Sequence, residues 1–347
     1  MTAQQANTLI EVKNLKVHFP VRGGLFGRVS SHVKAVDDVS FTIARGETLG
    51  LVGESGSGKT TVGRSILRAI NPTEGRVFFG ANGQRIELTQ LKGKALRDFR
   101  RHMQMIFQDP YASLNPRMTV RDIIAEPLQA NRLARGKALD EQVRETAERC
   151  KLNLEHLRRF PHAFSGGQRQ RIGIARALVS NPEFIVCDES VSALDVSIQA
   201  EILNLLMDLQ RELHLTYLFI AHDLSVVAHI STRVAVMYVG MFVELAPTKE
   251  LFRKPQHPYT EALLSAIPEV DPNLEMSPVS LQGEIPNPAN PPTGCRFHTR
   301  CPYVEDRCKT EIPTWREIKE GHFVACHFAD ELNLQGVPVD PPTSNRE

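Results

Sequence analysis

The stretch ETLGLVGESGSGKTTVGRSILRAI, Glu47 to Ile70, restricts the fold more than any other part of this 347-residue chain. An apolar run ends at GESGSGKTT, which fits GxxxxGK[ST], and apolar residues at helical spacing follow. The result is a strand, a tight loop and a helix in sequence. Gly53, Gly56 and Gly58 allow the backbone to approach a phosphate, and the amides at the helix start attract anions. Within the same cradle of Glu54, Ser55, Ser57 and Thr61, Lys59 is placed to reach the β- and γ-phosphates of a nucleotide. The Thr60 hydroxyl is placed to bind Mg²⁺. A glycine-rich turn with a chance lysine is the plainer alternative, and the flanking strand and helix speak against it.

Three further runs set the architecture. QMIF (104–107) is strand-like, EFIVCDE (183–189) and TYLFIAH (216–222) read as buried strands, and helical segments separate them, which implies a mainly parallel sheet. LIEVKNLKVHF and VKAVDDVSFTI alternate as strands at 9–19 and 33–43, with a Gly- and Ser-rich loop between them, and predict an antiparallel, mostly surface sheet. TVRDIIAEPLQANRL and ALDEQVRETAERCKLNL are helix-like. They precede FSGGQRQR, Phe164 to Arg171, whose helix is expected to run to about Val179. The SGGQ segment stands about twenty residues before the acidic end of EFIVCDE.

A phosphate loop, SGGQ and Asp188-Glu189 in this order resemble the ATP-binding cassette (ABC) family. The resemblance implies an α/β fold: an ABC-type P-loop NTPase cassette with a RecA-like parallel sheet core, an antiparallel β subdomain and a helical subdomain. It also implies roles for single residues. Asp188, at the end of a buried strand, holds Mg²⁺ through water, and Glu189 orients the attacking water. The plainer reading of this pair is a cap on the following helix. Gln108 in IFQDPYASLNP matches the Q-loop, whose glutamine contacts Mg²⁺ and the reaction site. His222 in LFIAHDLS matches the switch histidine at the γ-phosphate. Asp195 closes SALD, the loop that crosses the dimer interface. Phe19 stands where the family stacks an aromatic ring on adenine, although an aromatic at a strand end is as often core. Ser165, Gly166, Gly167 and Gln168 are expected to face the γ-phosphate held by a second subunit, in a head-to-tail dimer. Phe164 replaces the commoner leucine and keeps an apolar anchor.

A hydrophobic content of 41%, a charged content of 23% and a formal charge of +1 describe an ordinary globular protein and do not favour nucleic acid as a partner. No apolar run approaches the roughly 20 residues of a membrane span, and the N-terminus lacks a signal peptide's pattern. A cytoplasmic protein reaching the membrane through partners is expected.

HPYTEALLSAIP, from His257, and QDPYASLNPRMTV resemble the ATP-binding subunits of bacterial dipeptide and oligopeptide importers. The cassette is assigned to residues 1–267, with its helical subdomain at roughly 109–180. Seven prolines between Pro268 and Pro292 mark a linker at 268–294, followed by a Cys-rich segment at 295–328 and a loose tail at 329–347. Cys295, Cys301, Cys308 and Cys326 are separated by five, six and seventeen residues. In a reducing compartment such a group reads as a metal site rather than cross-links. No CxxC pair is present, which weakens zinc, although His298, His322 and His327 offer extra ligands. Resemblance to the importer cassettes implies a [4Fe-4S] cluster on the four thiolates. Zn²⁺ and unligated cysteines are the alternatives.

The expected function is therefore an ATPase subunit powering import of di- or oligopeptides or related small solutes. Its implied partners are two membrane permease subunits, a solute-binding protein and a second, paralogous cassette, at the cytoplasmic face of the inner membrane. The alternative is a soluble ABC switch of DNA repair or translation. Such proteins usually carry two cassettes or a long coiled-coil insertion, and this chain has neither.

Overall fold

A computed structural model describes residues 7–23, 28–81, 83–267, 281 and 283–337. Its first part runs β1 (Thr8–Gly23), β2 (Arg28–Ala44), β3 (Thr48–Val52), α1 (Lys59–Ile66), β4 (Glu74–Ala81), β5 (Gln84–Glu87), α2 (Gly93–Phe99) and β6 (Met103–Ile106). Three helices follow, α3 (Val120–Ala130), α4 (Gly136–Arg149) and α5 (Gly166–Leu178), then β7 (Phe184–Asp188), α6 (Val196–Leu213) and β8 (Thr216–Ile220). The last part holds α7 (Leu224–Ile230), β9 (Arg233–Tyr238), β10 (Met241–Pro247), α8 (Thr248–Arg253), α9 (Pro258–Ser265), α10 (Asp306–Thr310), β11 (Arg316–Lys319) and β12 (His322–Val324). The chain divides into two compact units.

One unit comprises residues 1–10, 42–48 and 78–220. Its centre is β7, paired in parallel with β6 on one side and β8 on the other. All five residues of β7 and of β8 are buried, as the unbroken apolar runs require of a parallel sheet covered on both faces. Each fully buried Ile, Leu or Phe there adds about 1.5–3 kcal/mol. Helices α3, α4 and α5 pack on one another and form the helical part expected between 109 and 180. Thr119 caps α3 by accepting from the Asp122 amide, and Ser165 caps α5.

The other unit comprises residues 11–41, 49–77 and 221–347. Here β3 pairs in parallel with β9, and β9 continues through antiparallel pairings to β10, β12 and β11. The Cys-rich segment thus contributes strands to the sheet that carries the phosphate loop. In the four-stranded sheet β1 neighbours β2, and both strands are longer than the sequence pattern suggests, covering residues expected to lie in the loop. Their inner side chains, including Val12, Leu15, Val17, Val36 and Val39, are buried, so only one face of this sheet meets solvent.

One expectation changes. Residues 329–337 of the supposed loose tail are fastened: Val337 donates its amide to Phe252 O at 2.8 Å, Gln335 donates to Glu261 Oε1 at 2.7 Å, and Leu334 is buried. The linker at 268–294 and the end of the tail lie largely outside the described residues, at 268–280, 282 and 338–347. Among the described residues, no helix is long and apolar enough to cross a membrane.

Candidate functional site

The phosphate loop begins where buried β3 ends. Gly53 adopts φ +144°, and a Cβ there would lie 2.1 Å from Met237 O, so only glycine can follow the strand into the turn. The loop closes with the Ser57 amide donating to Glu54 O at 3.2 Å, and Gly56 and Gly58 also take positive φ. Helix α1 starts at Lys59 with Gly58 as its N-cap, so no side chain covers the first-turn amides. Thr60 and Thr61 stand in that first turn. Lys59 is buried, and its ammonium donates to Gly53 O at 2.8 Å, to Glu54 O at 3.0 Å and to Ser57 Oγ at 3.4 Å. Ser55 completes the turn. A fixed cation over an uncapped helix start is an anion site.

In the same unit, Phe19 is in phase with buried Leu15 and Val17 on β1, and yet it is 38% exposed. A ring on the inward-facing series that remains open is suited to stacking. It does not close the strand as expected, because β1 continues to Gly23. His222 is exposed just before α7, whose N-cap is Asp223.

The other unit holds the acidic pair. Asp188 is buried at the end of β7, while Glu189 steps into left-handed backbone at φ +47° and donates its amide to Ile220 O at 2.9 Å. Its carboxylate accepts from Gln108 Nε2 at 2.6 Å. Two of the residues that sequence reasoning assigned to the reaction site, Gln108 and Glu189, are therefore in direct contact, 81 positions apart. Neither Asp188 nor Glu189 caps α6. Asp195 does so, with Oδ1 accepting from the Ile198 amide at 3.0 Å and from Ser197 Oγ at 2.8 Å. The Ile198 amide, then the Ser197 hydroxyl, hold the Asp195 carboxyl below its ordinary range.

At the signature, Ser165 and Gln168 form a capping box. The Gln168 amide donates to Ser165 Oγ at 3.4 Å, and the Ser165 amide donates to Gln168 Oε1 at 3.1 Å. Gly166 and Gly167 are the first residues of α5, and their amides lie at the positive end of its dipole. Phe164 is buried against His156, which bears out an apolar anchor at this position. Arg169, one turn on, lies over the Tyr111 ring at 4.0 Å and so joins the signature helix to the segment after Gln108.

Cys295, Cys301, Cys308 and Cys326 line one small pocket together with His298 and His327. Burial pushes the Cys295 thiol up to about 11 and the Cys301 thiol up to about 12. The four cysteines share this pocket, although among the described residues no three His, Cys, Asp or Glu side chains are grouped as a metal site requires. His322 leaves the set of possible ligands: it is buried with Nε2 2.8 Å from Glu244 Oε1.

Sequence reasoning missed the contacts around Glu54. Its amide donates to Tyr259 Oη at 2.8 Å, and its carboxylate binds Arg300 in a fork of 2.7 and 3.1 Å. Tyr259 belongs to the HPY run, where His257 Nδ1 accepts from the Tyr259 amide and caps α9. Partners 205 and 246 positions away leave no local signal.

Residues 36–192 match the family described as ABC transporter, and residues 243–308 match the C-terminal region of oligopeptide/dipeptide transporters. Among solved structures, a dimeric post-hydrolysis state of the ATP-binding cassette MJ0796 bound to ADP and Pi matches with a TM-score of 0.60 at 27% identity. It covers 69% of this chain and 99% of its own. A second dimeric structure of MJ0796, described as a bacterial ABC transporter cassette, gives 0.60 at 28% identity over the same shares. These neighbours bear out the α/β cassette fold. The oligopeptide transport ATP-binding protein AppF of Bacillus subtilis (strain 168) is 52% identical over 331 residues, 94% of this chain and 99% of that protein. Identity of that extent, reaching past the cassette into the C-terminal segment, makes the chain a member of the ABC transporter family, in its oligopeptide/dipeptide branch.

Proposed function

We propose that the chain is the ATP-hydrolysing subunit of an importer for di- and oligopeptides. The observation that carries the catalytic part is the 2.6 Å contact between Gln108 Nε2 and the Glu189 carboxylate. A carboxylate accepts hydrogen bonds at neutral pH, so Glu189 orients the attacking water while Gln108 holds Glu189 in place. Lys59 and the loop amides hold the β- and γ-phosphates, and His222 contacts the γ-phosphate. Thr60, Asp188 and Gln108 would hold Mg²⁺, which when bound neutralises charge developing on the phosphates. Phe19 stacks on adenine.

Ser165, Gly166, Gly167 and Gln168 act on the nucleotide of a second, paralogous cassette. The capping box supports this role, since it fixes the helix start whose first two residues are these glycines. Asp195 sits at the same interface. ATP then stabilises a closed dimer, and loss of the γ-phosphate contacts lets it open. Two permease subunits convert that motion to transport, a solute-binding protein delivers the peptide, and the chain works as a peripheral subunit at the cytoplasmic face of the inner membrane. The relative's description as an oligopeptide transport protein supports the substrate class.

The four pocket cysteines fit thiolate ligation by number and chemistry, and we assign them to a [4Fe-4S] cluster, with Zn²⁺ on a mixed set including His298 or His327 as the competing centre. Such a centre would add cross-linking to a segment that already packs Phe297 and Val324 into the core.

Replacing Glu189 with Gln tests the catalytic reading. Binding of a fluorescent ATP analogue should be unchanged, turnover should fall at least about a hundredfold, and ATP should trap a dimer visible by size exclusion. Undiminished turnover would refute the role of Glu189.

A further inference from the structure

We propose that Arg300 is a positioning residue for the phosphate loop, delivered to it by the turn between Cys295 and Cys301. The inference rests on reading residues 53–61 as the ATP-binding loop.

Glu54 occupies a variable position of GxxxxGK[ST], so the motif itself asks nothing of its carboxylate. Here that carboxylate is gripped by both Nη atoms of Arg300, whose side chain is 6% exposed. A bidentate fork of this kind fixes orientation as well as distance. The Glu54 amide is held separately by Tyr259 Oη, and the Tyr259 ring packs on Tyr238 and Phe297. Glu54 is thus tethered at backbone and side chain by residues outside the loop. Its carbonyl and that of Gly53 are two of the oxygens that receive the Lys59 ammonium. Moving Glu54 therefore moves the cation that is to meet the phosphates.

The same turn supplies a second contact. Arg296 donates to Val239 O and to Asp37, and the next residue in the β9–β10 turn, Gly240, donates its amide to Ser57 O at 2.9 Å. Arg296 and Arg300 both fall between Cys295 and Cys301. One short piece of the Cys-rich segment thus reaches the loop at Glu54 and, through the turn, at Ser57.

The fork also neutralises a carboxylate beside the loop. Without Arg300, the Glu54 carboxylate would stand unpaired beside the triphosphate and no longer orient the loop. Two losses with different remedies follow.

The test uses the full chain carrying Arg300→Met, Arg300→Lys, Glu54→Gln and the Arg300→Met/Glu54→Gln pair. Affinity for a fluorescent ATP analogue is measured together with KM and kcat. Arg300→Met should raise Kd and KM about tenfold, with kcat at saturation within about twofold of the original. Arg300→Lys should fall between, because it keeps charge without the fork. The double variant should bind better than Arg300→Met alone, a recovery that a merely structural role for Arg300 does not produce. Unchanged affinity in Arg300→Met, a loss confined to kcat, or a double variant no better than the single one would overturn the inference. Lys59→Ala separates the two readings. If the original chain binds the analogue and Lys59→Ala does not, the phosphate-loop reading stands whatever Arg300→Met does.

Discussion

Glu244 offers a perturbation whose size follows from its contacts. A bulge between Phe242 and Glu244 shifts the β10 register, and the carboxylate is 0% exposed. Oε1 accepts from the Gln256 amide at 2.8 Å and faces His322 Nε2 at 2.8 Å, and Oε2 accepts from the His257 amide at 3.0 Å. Glu244→Ala leaves three donors without their acceptor. The half-exposed Gln256 amide costs about 1 kcal/mol and the buried His257 and His322 groups about 2 kcal/mol each, about 5 kcal/mol in all. Glu244→Gln keeps the oxygen at Oε1 and sets an amide NH₂ against the His257 N–H, which costs about 2 kcal/mol. The assay is built into the chain. Its single tryptophan, Trp315, stacks on Phe323 at 5.9 Å and lies 6.2 Å from Phe242, so its emission reports on this region. Urea titration followed at Trp315 should order the proteins original, Gln, Ala. A Gln variant as weak as Ala would show that shape rather than hydrogen bonding matters, and losses under about 1 kcal/mol in both would refute the reasoning.

Burial pushes the His257 imidazole from 6.5 down to about 3, and it is neutral while accepting from the Tyr259 amide. The unfolded chain binds one more proton than the folded one between those values, so stability is full above about pH 6.5 and falls by about 1.4 kcal/mol per unit below it, levelling near pH 3. His257→Asn, which can still cap α9, should flatten urea midpoints between pH 6.5 and 5, and an unchanged slope would exclude His257 as its source. For the cysteine pocket, anaerobic purification followed by iron, sulfide and zinc analysis should find iron and sulfide in equal amounts, lost in Cys308→Ser. Stoichiometric zinc in a colourless protein would replace the cluster.

The cassette was legible because its chemistry is local. GESGSGKTT, SGGQ and the Asp188-Glu189 pair each declare themselves within a few residues, and the buried runs of β7 and β8 are unbroken. The S-x-x-Q capping box at Ser165 and Gln168 is local too, but the same residues also fit a nucleotide contact, which masks the cap. The remainder depends on distant partners. His322 looks like a metal ligand until Glu244, 78 positions earlier, is seen to take it. The tail looks loose because no pattern in residues 329–337 announces backbone bonds to Phe252 or Glu261.

The β9–β10 hairpin explains how such dependence erases a local signal. Tyr238 pairs with Met241, leaving Val239 and Gly240 as a two-residue turn with φ +41° and +81°. A turn with both residues at positive φ favours Asn-Gly or Asp-Gly, and a β-branched valine there costs about 1–3 kcal/mol. The strained residue is held by what surrounds it: Arg296 takes its carbonyl, while Gly240 donates to Ser57 O and accepts from the Asp37 amide at 2.8 Å. The turn is shaped by the phosphate loop on one side and the Cys295–Cys301 turn on the other, so its own residues need not encode it. By the same logic Glu54 needs no place in the loop motif, since its position is set from outside the loop by Tyr259 and Arg300.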